Sequence, residues 1–313
     1  MILSNKKILV TGGAGFIPSH IVDKLVKIGA TVTVIDNLHA GKVKNLKQSI
    51  ADIEFIKVDV RDFDKIHSIV KKQDVVFHLA ANADVPFSVE NPTYDFEANA
   101  IGGFNVLRSC LDADIQKVIY ASTAAVYGNA KYVPIREDHP LDPISPYGVS
   151  KLTTEKLGFT YLHTYGLPFC SIRIFNIYGE RQPRYVMYDL LRKLYQNPNK
   201  LSVLGTGEQI RDYAYVTDAA QCFILAAESD EAVGEAFNLA GGNPISIKDL
   251  VGLMLESLNL KNTKVEFTGN SWKGDIVKLI ADTEKAKKVL HFSPKVDHKT
   301  GIKLLHNWLN KTI

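Results

Sequence analysis

The sequence predicts an α/β protein: a doubly wound parallel sheet with a smaller, discontinuous α/β cap. Three features carry the prediction. Short β-branched runs alternate with amphipathic stretches, a glycine-rich turn joins the first run to the first of those stretches, and the rhythm changes after Asn176. At 313 residues, with 46% hydrophobic and 23% charged side chains, the chain suits one large or two modest globular domains, and disorder is not expected.

The early runs are Lys6–Gly13, Ala30–Asn37, Ile53–Val60, Asp74–Ala81, Lys117–Ser122 and Pro168–Asn176. Each is apolar enough to be buried on both faces, as parallel strands are. Helical spacing fills most gaps between them, over Ile17–Ile28, Phe63–Lys72, Asp95–Ala113 and Tyr147–Tyr165. Beyond Asn176 come the turn-forming Tyr178–Arg184, a helix over Val186–Tyr195, the turn-rich Leu204–Gln209 and, from Ile245 onward, helices with a few short strands. Ala236–Gly242 reads again as a sheet strand. The expected division is a first domain over residues 1–175, with a segment returning near 212–242, and a second made mainly of 176–313.

The formal charge of +3 is too small and too dispersed for a nucleic-acid footprint or a membrane-binding surface, so a small-molecule partner is expected. Cys110, Cys170 and Cys222 are widely spaced in apolar surroundings, which suggests buried thiols rather than a disulfide framework or a metal site. No apolar run reaches spanning length and the first residues lack a secretory pattern, which together point to the cytoplasm.

The turn VTGGAGFIPSH, Val10–His20, lies between a predicted strand and a predicted helix, the context a phosphate cradle requires. Gly12, Gly13 and Gly15 permit a tight turn and let amides at the helix N-terminus approach a pyrophosphate. A dinucleotide fingerprint carries a further glycine where this chain has Pro18. With the helix starting near Phe16, Pro18 falls in the first turn, where its missing amide costs no hydrogen bond; a slightly displaced helix start is expected. Asp36 ends the second run about twenty residues beyond the glycines. A carboxylate there accepts ribose hydroxyls and repels a 2′-phosphate, favouring NAD over NADP. Asp59, after the third run, either faces the adenine edge or caps a loop.

Tyr147 and Lys151 are four apart on a predicted helix and share a face, so the ammonium can lower the phenol's pKa and make it a general base. Thr123 ends a strand at the C-terminal edge of the sheet, where ligands bind in open α/β folds.

Taken together, the glycine turn, Asp36, the HLAA of His78–Ala81, Asn99, Thr123 and the Tyr147/Lys151 pair resemble the extended short-chain dehydrogenase/reductase family, over nearly the whole chain. These are NAD-dependent epimerases and dehydratases on a Rossmann fold. Within the family the chain is most similar to nucleotide-sugar 4-epimerases of the UDP-glucose 4-epimerase type. The resemblance implies NAD held along Gly12, Gly15, Phe16, Ile17, Asp36, Asn37, Asp59, Val60, Leu79, Ala80, Ala81, Asn99, Tyr147 and Lys151. It implies Thr123, Tyr147 and Lys151 as catalytic residues. Asn176, Arg211, Trp272, Asp275 and Leu279 then face the sugar nucleotide together with Thr123 and Tyr147. Arg211 would pair with the diphosphate, as its fork geometry suits, unless it forms a structural ion pair with Asp212 or Asp218. A homodimer through the helices of Asp95–Ala113 and Tyr147–Tyr165 is the expected assembly.

Family members differ after the catalytic hydroxyl. Dehydratases carry an Asp-Glu pair there, and this chain has Ala124 and Ala125; the glutamate of decarboxylases and the cysteine of 3,5-epimerases are missing from that stretch too. That leaves 4-epimerisation or simple reduction. In the first, Tyr147, assisted by Thr123, moves the 4-hydroxyl proton while NAD takes and returns a hydride, through a transient 4-keto sugar. A nucleotide-binding regulator without catalysis is the reading from another class. Where the 4-epimerases have an arginine, this chain has Trp272 beside Lys273; either Lys273 and Arg211 carry the charge that meets the diphosphate, or the indole stacks on a base or packs the cap. Leu279 stands where the resemblance places a gate beside the sugar's 2-substituent, a tyrosine in restrictive members. The extra room implies that N-acetylhexosamine nucleotides are accepted along with UDP-glucose and UDP-galactose, with uronic-acid sugars the runner-up.

Overall fold

The computed structural model describes residues 1–269 and 277–312. The first half runs β1 (Lys7–Thr11), α1 (Phe16–Lys27), β2 (Thr31–Asp36), β3 (Ile53–Lys57), α2 (Phe63–Val70), β4 (Val75–His78), α3 (Val85–Glu90), α4 (Pro92–Phe96), α5 (Gly102–Leu111), β5 (Lys117–Thr123), α6 (Pro146–Tyr165) and β6 (Phe169–Ile174). There follow β7 (Asn176–Tyr178), α7 (Val186–Gln196), β8 (Lys200–Val203), β9 (Ile210–Tyr215), α8 (Val216–Glu228), β10 (Ala236–Leu239), β11 (Pro244–Ser246), α9 (Ile247–Ser257), β12 (Lys264–Phe267), β13 (Lys278–Leu279), α10 (Glu284–Leu290) and α11 (His298–Asn310).

Seven of these strands form one parallel sheet in the order β3-β2-β1-β4-β5-β6-β10. The order reverses between β1 and β4, and a crevice at such a switch point is where open α/β sheets take ligands. Alternate residues of the buried strands pack into two layers. Val10, Val34, Phe77 and Ile119 share one core with buried residues of α1 and α8, while Leu9, Val76, Val118 and Tyr120 share the other with buried residues of α2 and α5. β3 departs from the expectation of burial on both faces: it is the edge strand, and Ile53, Phe55 and Ile56 are half-buried. The expected strand at Ala236 does return to the sheet, beside β6.

The stretch expected as one helix over Asp95–Ala113 is three pieces. α4 passes into a π-helical turn over Glu97–Ile101 before α5 resumes. The Thr154 hydroxyl donates to the Asn99 carbonyl oxygen at 2.8 Å, and a Cβ on Gly103 would lie 2.2 Å from the same hydroxyl oxygen. The widened turn thus accompanies a very close approach of α5 to α6, and single π turns of this kind gather at functional sites. α8 was not legible as a helix; VTDAAQCFILAAE is buried almost all round, so it lacks the polar stripe that marks a surface helix.

The remaining strands make two smaller pieces. β9 pairs with β7, β11 and β13, and β8 pairs with β12. Cys110, Cys170 and Cys222 are free and buried. Among the described residues no helix is long and apolar enough to cross a membrane.

Candidate active site

The glycine turn closes tightly on the switch point. The Gly12 amide donates to the Ile35 carbonyl at 2.7 Å, and a Cβ on Gly12 would lie 2.7 Å from the Ala80 Cα. Gly12 also has φ +69°, so a side chain there is excluded twice over. Thr11 fixes the facing HLAA turn: its hydroxyl oxygen accepts the Leu79 and Ala80 amides at 3.1 and 3.0 Å and lies 2.8 Å from His78 Nδ1. With its lone pairs so used, Thr11 donates to a neutral His78, whose pKa is carried down to about 3 by burial and by the Lys151 charge. α1 begins at Phe16, and no side chain caps it, so the first-turn amides of Phe16 and Ile17 have no side-chain acceptor of the kind an N-cap supplies. Pro18 is the third helical residue, as expected. A Cβ on Gly15 would sit 3.1 Å from its ring, tighter than ordinary packing, so the proline leaves little room for a side chain at Gly15.

At the end of β2, Asp36 is 6% exposed, and its oxygens accept the Ala14 and Leu38 amides at 3.0 and 2.7 Å. Burial still carries its pKa upward. Asn37 donates to Asp59 at 2.8 Å, and Arg61 pairs with Asp59 at 3.0 Å. Burial of Asp59 works upward, but those bonds bring its carboxyl to about 2. Asp59 also accepts the Arg61 amide, so it closes its own turn, which is the loop-capping reading of this residue. Val60 is buried between this turn and α5, where a Cβ on Gly102 would meet it.

Thr123 ends β5 and Tyr147 opens α6. Ser145 caps that helix through the Gly148 amide at 3.1 Å, Pro146 takes the first helical position, and the Tyr147 amide donates to Ser88 Oγ at 3.2 Å. A Cβ on Gly148 would lie 2.7 Å from the Ala125 carbonyl oxygen. That missing side chain lets the start of α6, which carries Tyr147, reach the end of β5, which carries Thr123. Thr123 Oγ1 accepts the Ala125 amide at 3.1 Å, which fixes its rotamer. Burial raises the Tyr147 pKa, with the Thr123 hydroxyl and the Arg184 charge opposing. This is opposite to the lowering expected from Lys151, because desolvation outweighs what Thr123 and the Arg184 charge contribute. Lys151 is 2% exposed; burial draws its pKa down to about 7, against the pull of Asp95 and Glu155.

A buried polar cluster that sequence reasoning missed supports this pair. Asp95 accepts from Asn82 Nδ2 at 2.7 Å, from Asn99 Nδ2 at 3.1 Å and from Ser150 Oγ at 2.6 Å. Asn99 in turn accepts the Asn82 amide at 2.8 Å and donates to Ser150. Asn99 is therefore turned inward by the π turn and binds the HLAA loop to α6. The available signal was Asp95 itself, a carboxylate one helical turn before Asn99.

On the other lip, Asn176 begins β7 with its side-chain Nδ2 buried and without a hydrogen-bond partner among the described residues. Arg211 lies on β9 and donates to the Ile210 carbonyl; in register beside it is Leu279 of β13. Leu279 packs on an apolar group that includes Ala124, next to Thr123. Of the partners weighed for Arg211, Asp218 accepts the Lys295 and Val296 amides, while Asp212 is fully buried and pushed up to about 6 by that burial. Trp272, Lys273 and Asp275 lie outside the described residues. Arg184 and Tyr185, also missed, close over the mouth: Arg184 pairs with Asp84, and the Tyr185 hydroxyl donates to the Ala83 carbonyl at 3.0 Å.

Fold and cradle define a dinucleotide-binding protein. The chain belongs to the NAD dependent epimerase/dehydratase family, whose model matches residues 8–240. Among curated proteins it is similar to the UDP-glucuronate 4-epimerase of Thermodesulfobacterium geofontis, 34% identical over 319 residues that cover 97% of this chain and 96% of that one. Among solved structures it is similar to a UDP-glucose 4-epimerase from Thermotoga maritima with UDP-glucose, at 36% identity and TM-score 0.89, covering 98% and 99% of the two chains. It is also similar to the UDP-N-acetylglucosamine 4-epimerase of Methanobrevibacter ruminantium, at 32% identity and TM-score 0.91, covering 99% and 100%. NAD is the family's cofactor, and the residues present fit it: a glycine turn with no room for a Cβ, uncapped helix amides for the pyrophosphate, and a buried carboxylate at the end of β2.

Proposed function

We propose that this protein inverts C4 of a UDP-hexose, with UDP-glucose and UDP-galactose the leading pair. The observation that carries the reading is the close approach of α6 to the end of β5, through Gly148 against the Ala125 carbonyl, which brings Tyr147 to Thr123 at the sheet edge, one helical turn from a buried Lys151, with only Ala124 and Ala125 following the threonine. Tyr147 takes and returns the proton of the sugar 4-hydroxyl, Thr123 orients the phenol, and Lys151 anchors a ribose and supplies positive charge. NAD held by the glycine turn and Asp36 would supply a reversible hydride acceptor beside C4, on the same side of the cleft as Tyr147 and Lys151. Two alanines move no proton, which disfavours elimination of water. The three similar enzymes named above act on different sugars, yet all are 4-epimerases.

Residues 176–313, apart from the returning segment, supply the substrate side. The unpartnered Asn176 amide suits a substrate oxygen, Arg211 the diphosphate and Leu279 the room beside C2; Trp272 and Asp275 join them on the strength of the resemblance. N-acetylhexosamine nucleotides are then accepted too. A homodimer is supported by the outer face of α4 to α6, where Phe96, Ile101, Phe104 and Val149 are exposed beside a groove of ≈ 740 Å³. Sedimentation velocity should give a dimer that Phe104→Asp dissociates.

The test is a product assay by NMR, with NAD, across UDP, GDP, CDP and dTDP sugars. Inversion at C4 of UDP-hexoses is expected. Turnover confined to another nucleotide would overturn the substrate, and a reduced sugar with stoichiometric consumption of added NADH would show a reductase. Leu279→Tyr should suppress the N-acetyl sugar more than the hexose; equal loss would remove Leu279 as the gate.

A further inference from the structure

Lys151 is a buried amine, and burial by itself strips an amine of its charge. Its ammonium lies 4.3 Å over the centroid of the Tyr120 ring. Tyr120 is 1% exposed and firmly held: its ring lies against Phe169 at 6.0 Å and His78 at 5.6 Å, and its hydroxyl donates to the Lys151 carbonyl oxygen at 3.1 Å. The same tyrosine therefore grips the backbone of Lys151 and seats its side chain.

We propose that Tyr120 is a positioning residue for Lys151, whose ring face keeps the amine charged and aimed within a site that excludes water. An aromatic face attracts a cation most where the pair is desolvated. The charged and titratable groups around the ammonium come from three elements. Asp95 of α4 and Glu155 of α6 favour the charge, and His78 of β4 is neutral at working pH. Asp95 already accepts from Asn82, Asn99 and Ser150, and Glu155 from Arg173 and Ser171, so the ring adds support that neither carboxylate provides alone. The Tyr120 hydroxyl itself stays protonated, because burial raises its pKa well above the usual value, so the ring offers a neutral π face.

The proposal rests on Lys151 belonging to the site, but its test does not need turnover. In the full-length protein, with and without NAD, 13C-labelled lysine Cε signals are followed against pH, Lys151 being assigned by its loss in Lys151→Met. Position 120 is replaced by phenylalanine and then by mono-, di- and trifluorinated phenylalanines, which keep the ring shape while weakening its negative face. Tyr120→Phe should leave the Lys151 midpoint within about 0.3 units, and full fluorination should lower it by about one unit, equivalent to about 1.4 kcal/mol. The alkaline limb of kcat should move down with it. A midpoint that ignores fluorination overturns the proposal, as does a Tyr120→Phe shift as large as that of the trifluoro variant, which would assign the support to the hydroxyl. Tyr120→Leu gives the coarse version; should it not fold, the fluorinated series still decides.

Discussion

At the cradle, Gly12, Gly13 and Gly15 work by lacking side chains. Their own amides bond to the Ile35 and Gly12 carbonyls within the turn, and the amides presented are the uncapped ones of Phe16 and Ile17 that the turn brings forward. Across the cleft, the residues proposed for the substrate side, Asn176, Arg211 and Leu279, are side chains brought together from β7, β9 and β13. The first region is set by local chain geometry and tolerates little beyond glycine. The second depends on how distant strands are joined, so it can be retuned one side chain at a time. Two sets of contacts hold the regions together. His20 Nε2 donates to the Glu180 carbonyl at 3.0 Å and Arg181 pairs with Asp23 at 2.6 Å, while Glu155 and Arg173 pair at 2.6 Å under the floor of the site.

The largest effect is expected from breaking that floor. Arg173 also donates to Tyr127 and to the Glu137 carbonyl; Tyr127 reaches Asn238, and Asn238 reaches the Ile135 carbonyl beside β13. Arg173→Met leaves Glu155 buried without its counter-charge, bonded among the described residues only to the Ser171 hydroxyl, which should cost about 3–5 kcal/mol in urea unfolding. A loss under about 1 kcal/mol would mean that the regions are joined elsewhere.

Acid should loosen the other joint. Burial first, and then the Arg181 charge, lower the His20 pKa to about 4. The unfolded chain, with histidine near 6.5, binds more protons between those values, so the stability present above pH 6.5 is lost as pH falls toward 4. The gap corresponds to about 3 kcal/mol. Denaturation series at pH 7.5 and 4.5 should show it, and His20→Gln, which keeps a donor for Glu180, should reduce the slope. Buried His78 leaves a remainder, since its pKa is also low. An unchanged slope in the variant would place the acid sensitivity elsewhere.

Tyr147→Phe tests the meeting point of the two regions. Turnover should fall at least about a hundredfold, as for loss of a general acid/base, while unfolding is little changed. Near-normal turnover would remove Tyr147 from the chemistry and leave the cradle without its partner.

The unequal legibility of the sequence follows the same division. The glycine turn, Asp36, Thr123 and the Tyr147/Lys151 spacing depend on neighbours in the chain, and a strand–turn–helix pattern exposes them. Asn82, Asp95 and Ser150 meet only after α4 folds against α6, and the π turn that directs Asn99 inward hides inside a stretch with helical spacing. The buried face of α6 is Gly148, Ser150, Lys151, Thr154, Glu155 and Gly158, small or polar throughout, so no apolar stripe announces it. Arg184 and Tyr185 sit in a turn whose sequence says nothing of Asp84 and Ala83, about a hundred residues earlier.

The smallest effect is expected at Pro18, and it sharpens what the cradle requires. A glycine at this place in related fingerprints lets the helix pack closely on the first strand. Here the helix starts at Phe16 with proline third, an amide that would have had no intrahelical partner, and the ring occupies the space a side chain on Gly15 would need. Pro18 is also buried, so its ring fills space that glycine would leave open. Pro18→Gly removes that packing and loosens the first turn, yet leaves Gly12, Gly13 and Gly15 as they are. NAD affinity, measured by fluorescence titration, should therefore change by less than about tenfold, or about 1.4 kcal/mol. A much larger gain would show that the ring obstructs the pyrophosphate; a much larger loss would show that the helix start depends on it, and side-chain packing would then count in the cradle as it does across the cleft.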